Sequence, residues 1–259
     1  MGAVMIGALG CATSPTGRGQ LILLPESQMA QMGAQAFQEM KATQPTERDP
    51  RYNEYVACIA RPLIQVSESG IPADKWEIVV FREPSANAFA LPGGKIGVHT
   101  GLLNVAKTEA QLAAVIGHEI GHVLARHGNE RVSQGVVAQG GQVALGVMLK
   151  DQAQRGTLLA LLGVGVQVGV LLPYGRTQES EADHIGVRMM ARAGFDPAES
   201  IELWKNMSTA GGAQPPQFLS THPSHKTRIG DLQALQPEMT VLFEKAKATG
   251  RKPECKRPQ

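Results

Sequence analysis

His118-Glu119-Ile120-Gly121-His122 limits what this 259-residue chain can be more than any other stretch, because it sets two imidazoles one helical turn apart with a carboxylic acid between them. On an α-helix the i and i+4 side chains share a face, so both histidines reach one ion while Glu119, rotated by about 100° from His118, stands beside it. Neutral imidazoles bind Zn²⁺ and leave room for a water whose pKa falls to roughly 7 on the metal, where a nearby carboxylate can take the proton. This is the pattern of a zinc peptidase. The flanking residues supply the helix it needs. Thr108 and Gln111 form a capping box, and Leu112, Val115, Ile116, Ile120 and Val123 make an apolar stripe. Arg126 and His127 suit the negative helix end and Gly128 is a stop, which predicts a helix over 108–127.

Two histidines leave a tetrahedral site short of protein ligands, and Glu179-Ser180-Glu181-Ala182-Asp183 is the best downstream source of a third. On a helix over 177–193, Glu179 and Asp183 share a face. Glu179 then binds the metal, while Asp183 accepts a hydrogen bond from a ligand histidine and fixes its tautomer. Glu181 points elsewhere. An acidic first turn that complements the helix dipole explains the same residues without a metal; the upstream motif favours the ligand reading.

HEIGH, the later ESEAD, NAFALPGGKIGVHTGLL at 87–103 and STHPSHKTRI at 220–229 occur in this order. Together they resemble metallopeptidase family forty-eight, the HtpX and prenyl-protease group, and within it the soluble periplasmic quality-control proteases rather than the polytopic members. The resemblance spans roughly residues 26–235. It implies an α+β, mostly helical, zincin-like (minigluzincin) domain with a small β-sheet, binding one Zn²⁺ per chain. It also implies that His118, His122 and Glu179 are the ligands, that Glu119 is the general base, and that Asp183 lies beside the site. The substrates it implies are misfolded or misassembled envelope proteins. His222 matches a histidine that in such members approaches the zinc and restrains activity. Here it is either a fourth ligand at rest or a donor to the oxyanion of the tetrahedral intermediate. A membrane prenyl-protein protease and a zinc-stabilised chaperone with latent proteolysis remain as alternatives.

The other histidines are expected to be structural: His225 in a solvated loop, His99 in a strand, His127 at a helix end, and His184 at the wrong angle from Glu179. With 42% hydrophobic residues the chain can bury a sizeable core, and with only 4% aromatic residues that core is mainly aliphatic. A formal net charge of +2, with no aromatic and basic platform, gives no nucleic-acid role.

The short apolar run 3–9 ends in Gly10-Cys11, like the end of a secretory signal with a lipoprotein cleavage site. On this reading 1–10 is a signal remnant and 11–25 a flexible tether that holds the protein to the membrane through lipidated Cys11. Residues 26–245 are then the peptidase domain and 246–259 a solvated basic tail. The location is the periplasm, anchored to the outer membrane of a Gram-negative bacterium. With Cys11 lipidated, Cys58 and Cys255 either form a disulfide in that oxidising compartment or stay as two thiols. The oligomeric state has no signal in the sequence.

The scaffold reads as helices over 27–41, 51–66, 199–207 and 224–235, strands over 76–81 and 96–100, and a Pro92-Gly93-Gly94 turn. Either Ala88 to Leu91 or Lys95 to Val98 is expected to offer an edge for substrate, unless the pair is a plain hairpin supporting the sheet. The apolar stretch 157–172, with Gly163, Gly165 and Gly169, is expected to form a loop or helix pair over the cleft rather than a membrane span, serving either as a lid or as a surface that touches the membrane or an unfolded client.

Overall fold

A computed structural model describes residues 11–138, 162, 175–209, 218–219, 222 and 227–258. The signal remnant 1–10, most of 157–172 and His225 lie outside the described residues. Among the described residues no helix is long and apolar enough to cross a membrane.

In chain order the elements begin with strands β1 (Cys11–Thr13) and β2 (Gly19–Leu21) and helices α1 (Glu26–Thr43) and α2 (Pro50–Val66). Strands β3 (Glu77–Phe81), β4 (Ala88–Leu91) and β5 (Lys95–His99) follow, then helices α3 (Glu109–Leu124) and α4 (His127–Ala138). Helices α5 (Arg176–Ala193), α6 (Glu199–Thr209) and α7 (Arg228–Ala248) complete the described chain. The expected α+β, mostly helical class holds.

Helix α3 is buried at every position from Ala110 to His122, as an almost uniformly apolar helix must be. Its start follows the predicted cap: Thr108 Oγ1 accepts the Gln111 N–H at 3.1 Å, while Gln111 Oε1 reaches back to the Lys107 N–H at 2.7 Å. Its end differs from the sequence reading. The helix stops at Leu124 because Arg126 takes a left-handed backbone with φ 53°, and Gly128 lies inside α4 rather than acting as the stop.

Glycines set how closely α3 and α5 approach. A Cβ on Gly121 would lie 2.8 Å from the Ala182 carbonyl oxygen, and one on Gly186 would lie 2.7 Å from the His118 nitrogen. This contact brings the helix that bears both histidines against the helix that bears Glu179.

The small sheet has the order β3-β5-β4, with β3 parallel and β4 antiparallel to β5. Gly93 and Gly94, at φ 81° and 78°, make the expected turn between β4 and β5. β5 is the central strand, so Lys95 to Val98 offers no edge; β4 is the edge on the α3 side.

Expectations at both termini change. Residues 11–25 are not a loose tether: β1 and β2 pair, Leu24 is buried, and Arg18 bonds to Glu130 and Glu181. The last helix runs on past residue 235, through Pro237 to Ala248, because Met239 and Ala246 bury against the body. The tail beyond it stays largely exposed but is tied to the body. Cys255 forms a disulfide with Cys58 on α2, its N–H donates to the Glu109 carboxylate at 2.6 Å, and Arg257 donates to the carbonyls of Leu103, Ala106 and Lys107.

Candidate metal centre

His118 and His122 project from one face of α3, Glu179 comes from the first turn of α5, and His222 arrives on the segment before α7. All four are buried, and one ligand atom of each lies within 4.8 Å of the others. His118 Nε2 is 3.0 Å from His122 Nε2 and 3.2 Å from His222 Nδ1. The Glu179 carboxylate is 3.4 Å from both His118 Nε2 and His122 Nε2, and 3.1 Å from His222 Nδ1. Ligands tetrahedrally arranged about 2.0–2.1 Å from a zinc ion stand about 3.3 Å apart, so spacing and donor chemistry both fit the metal.

Behind His118, Nδ1 is 2.9 Å from Asp183 Oδ1, the contact expected of Asp183. Sequence reasoning gave no role to the group that holds both carboxylates. Arg228 is fully buried, lies with its guanidinium 3.4 Å from the Trp204 ring centroid, and donates to Asp183 at 2.6 Å and to Glu179 at 3.0 Å. It stands within the HKTRI motif, which was the only signal available.

Behind His122, Nδ1 is 2.8 Å from His127 Nδ1, and His127 Nε2 is 3.1 Å from Glu181 Oε2. His127 is at the wrong angle to join the cluster, as expected, but it touches a cluster histidine directly. Glu181 does point elsewhere, towards this second support. His99 hydrogen-bonds Ser85 at 2.9 Å and lies apart from the cluster, as does His184.

Burial disfavours charge on every one of these groups, and the neighbours decide the outcome. Burial opposes protonation of His118, yet Glu179 and Asp183 outweigh it and hold the ring at about 9. Burial pushes His122 well below the usual histidine range, and the neighbouring His118 and His127 add to the effect against the pull of Glu179. Glu179 stays well below the usual carboxylate range: burial works against ionisation, but His222 and His118 reverse it. Asp183 is lowered chiefly by Arg228 and His118, again against burial.

Glu119 is raised by burial. Its Oε1 has no hydrogen-bond partner among the described residues and lies 3.4 Å from His222 Nε2. A buried carboxyl oxygen left open beside the four donors is placed for a water or a substrate atom. The edge strand is close, since β4 packs against α3. A cleft lined by Ala90, Pro92, His122, Glu181 and His184 opens beside the cluster.

Comparison with known proteins agrees with this geometry. The family model described as peptidase family M48 matches residues 50–236. The mitochondrial metalloendopeptidase OMA1 of Schizosaccharomyces pombe is 36% identical over 224 residues, which cover 85% of this chain and 63% of that protein. The human metalloendopeptidase OMA1 is 33% identical over 244 residues, 88% of this chain and 46% of that protein. The beta-barrel assembly-enhancing protease of Escherichia coli is 30% identical over 225 residues, 83% of this chain and 45% of that protein. The chain thus spans less than two thirds of the length of each of these relatives. By the match over residues 50–236, which holds the whole donor cluster, the chain belongs to peptidase family M48, the zinc metallopeptidases of zincin-like fold.

Proposed function

We propose that this protein is a zinc endopeptidase that cleaves misfolded or misassembled proteins of the bacterial envelope. The observation that carries the reading is the donor cluster of His118, His122, Glu179 and His222 with the open carboxyl of Glu119 beside it. His118, His122 and Glu179 would hold the zinc, which when bound acidifies water and polarises a carbonyl. Glu119 takes the proton from the attacking water and passes it to the leaving amine; its raised pKa suits a group that must both accept and return a proton. Asp183 fixes His118 in the tautomer that presents Nε2 to the metal.

His222 Nδ1 stands among the other donors, and its ring stacks on Phe218 at 4.4 Å. Four protein ligands leave no position for substrate, so we read His222 as a fourth ligand at rest that must withdraw before cleavage. In place, its other nitrogen, Nε2, lies 3.4 Å from Glu119 Oε1. The same closed set favours a second reading, a zinc-stabilised assembly factor with latent proteolysis.

The envelope location rests on the lipoprotein-like 3–11 stretch, on the disulfide between Cys58 and Cys255, which suits an oxidising compartment, and on the likeness to the beta-barrel assembly-enhancing protease. The relatives named mitochondrial make a mitochondrial location the competing assignment. The test is cleavage of unfolded casein by purified protein. Wild type should cleave, His222→Ala should cleave faster, and Glu119→Gln should keep zinc and fold but lose turnover. Cleavage retained by Glu119→Gln would remove the general-base assignment.

A further inference from the structure

His122 is held from behind by a chain of contacts that ends on the N-terminal hairpin. If Nε2 faces the metal, the ring proton of the neutral imidazole must sit on Nδ1, 2.8 Å from His127 Nδ1. His127 Nδ1 must then accept, which puts its own proton on Nε2, 3.1 Å from Glu181 Oε2. One pair of tautomers satisfies both contacts. Glu181 is fixed in turn by Arg18 Nε at 3.0 Å and by the Thr16 hydroxyl at 2.5 Å.

The rest of the Arg18 guanidinium is turned to α4. Its Nη1 and Nη2 donate to the two oxygens of Glu130, each at 2.7 Å. Glu130 is on the helix that begins with His127, and Glu181 is on the helix that bears Glu179. One cation therefore joins two largely buried carboxylates from two helices, and without it they would face each other unbalanced. Gln20, from the same hairpin, donates to the Ala125 carbonyl at the end of α3 at 2.6 Å and to Glu130 at 3.3 Å. The hairpin thus touches the C-terminal end of α3, α4 and α5 at the place where they hold the His122 ring.

We propose that the N-terminal hairpin is a working part of the metal centre, with Arg18 acting through Glu181 and His127 as the positioning residue that orients His122 for the metal. This rests on the zinc-peptidase reading of the cluster. An arm that merely covered the surface would add stability and leave the ligand field alone. An arm that orients a ligand changes how tightly the metal is held, because metal affinity depends on the hydrogen-bond partners of the ligands.

The experiment compares wild type with Arg18→Met and with Arg18→Lys. The lysine variant keeps a cation between the carboxylates, and so the fold, but lacks the fork that spans both. Zinc affinity is measured by competition with a chelator, the Co²⁺-substituted absorption spectrum reports ligand geometry, and the metal-free melting temperature reports the fold. The expected result is zinc binding weakened about 10-fold or more in Arg18→Met and less in Arg18→Lys, with a changed Co²⁺ spectrum in both. A lower kcat on casein with little change in KM should accompany it. If Arg18→Met does not fold, Arg18→Lys decides by the same criterion. Wild-type affinity and spectrum in a folded variant, whatever its melting temperature, would overturn the proposal. Failure of wild type to bind zinc would instead remove the peptidase reading beneath it.

Discussion

His118 and His122 are the same residue type, one turn apart on one helix and equally buried, yet they are held in opposite ways. His118 rests on the carboxylate of Asp183 and is raised to about 9; His122 rests on the imidazole of His127 and is pushed well below the usual range. Burial alone would lower both. Glu179, shared by the two rings, raises both; Asp183 adds to it behind His118 while His127 opposes it behind His122, and protonation of His118 disfavours protonation of His122.

The hardest way to break the comparison is to remove the cation behind His118. Arg228→Leu leaves Asp183 and Glu179 buried without their partner, and loss of one member of a buried ion pair costs about 3–5 kcal/mol. Urea unfolding of the metal-free protein should give an unfolding free energy lower by that amount, and an unchanged value would mean the carboxylates are neutral.

Asp183→Asn acts on the ring itself. It should weaken zinc binding by about 10–100-fold, measured by chelator competition, and bring the His118 pKa down towards that of His122. Equal affinities would show that Asp183 has no part in holding His118.

The smallest effect sharpens the comparison through pH. The pKa of His118 in the metal-free fold, about 9, exceeds the unfolded value of 6.5. Its contribution to metal-free stability is therefore complete below 6.5 and is lost as pH rises through about 9. Zinc binding has the opposite sign, since the ion must displace that proton. Calorimetry in buffers of different ionisation enthalpy should find proton release near pH 7.5 in wild type and less in Asp183→Asn. His122, already neutral, should add none.

What the sequence made legible follows the same division. The helix that bears both histidines, its Thr108 cap and the shared face of Glu179 and Asp183 could be read because helical spacing places them, and spacing is local. That Glu179 meets the histidines was implied only by the need for a third ligand and by the resemblance. Arg228 could not be singled out, because a charged residue is ordinarily exposed and only its burial between two carboxylates marks it. His127 is structural, as expected, but its contact with His122 was not legible, for a geometric reason. A continuous helix would carry it off the histidine face, but the left-handed backbone at Arg126 ends α3 and returns the ring to His122. The docked tail and the N-terminal hairpin depend on contacts between distant parts of the chain, such as Cys58 with Cys255 and Arg18 with Glu181, and no periodicity encodes these.

The central claim is that this cluster is a zinc site built for hydrolysis with Glu119 as its base. The most direct test is zinc content and casein cleavage measured together on wild type, Glu119→Gln and His222→Ala. The account predicts about one zinc per chain in all three, at least a thousandfold loss of cleavage in Glu119→Gln, equivalent to about 4 kcal/mol, and faster cleavage in His222→Ala. Zinc without cleavage in any form would leave the latent assembly factor as the better reading, and a wild type without zinc would contradict the site itself.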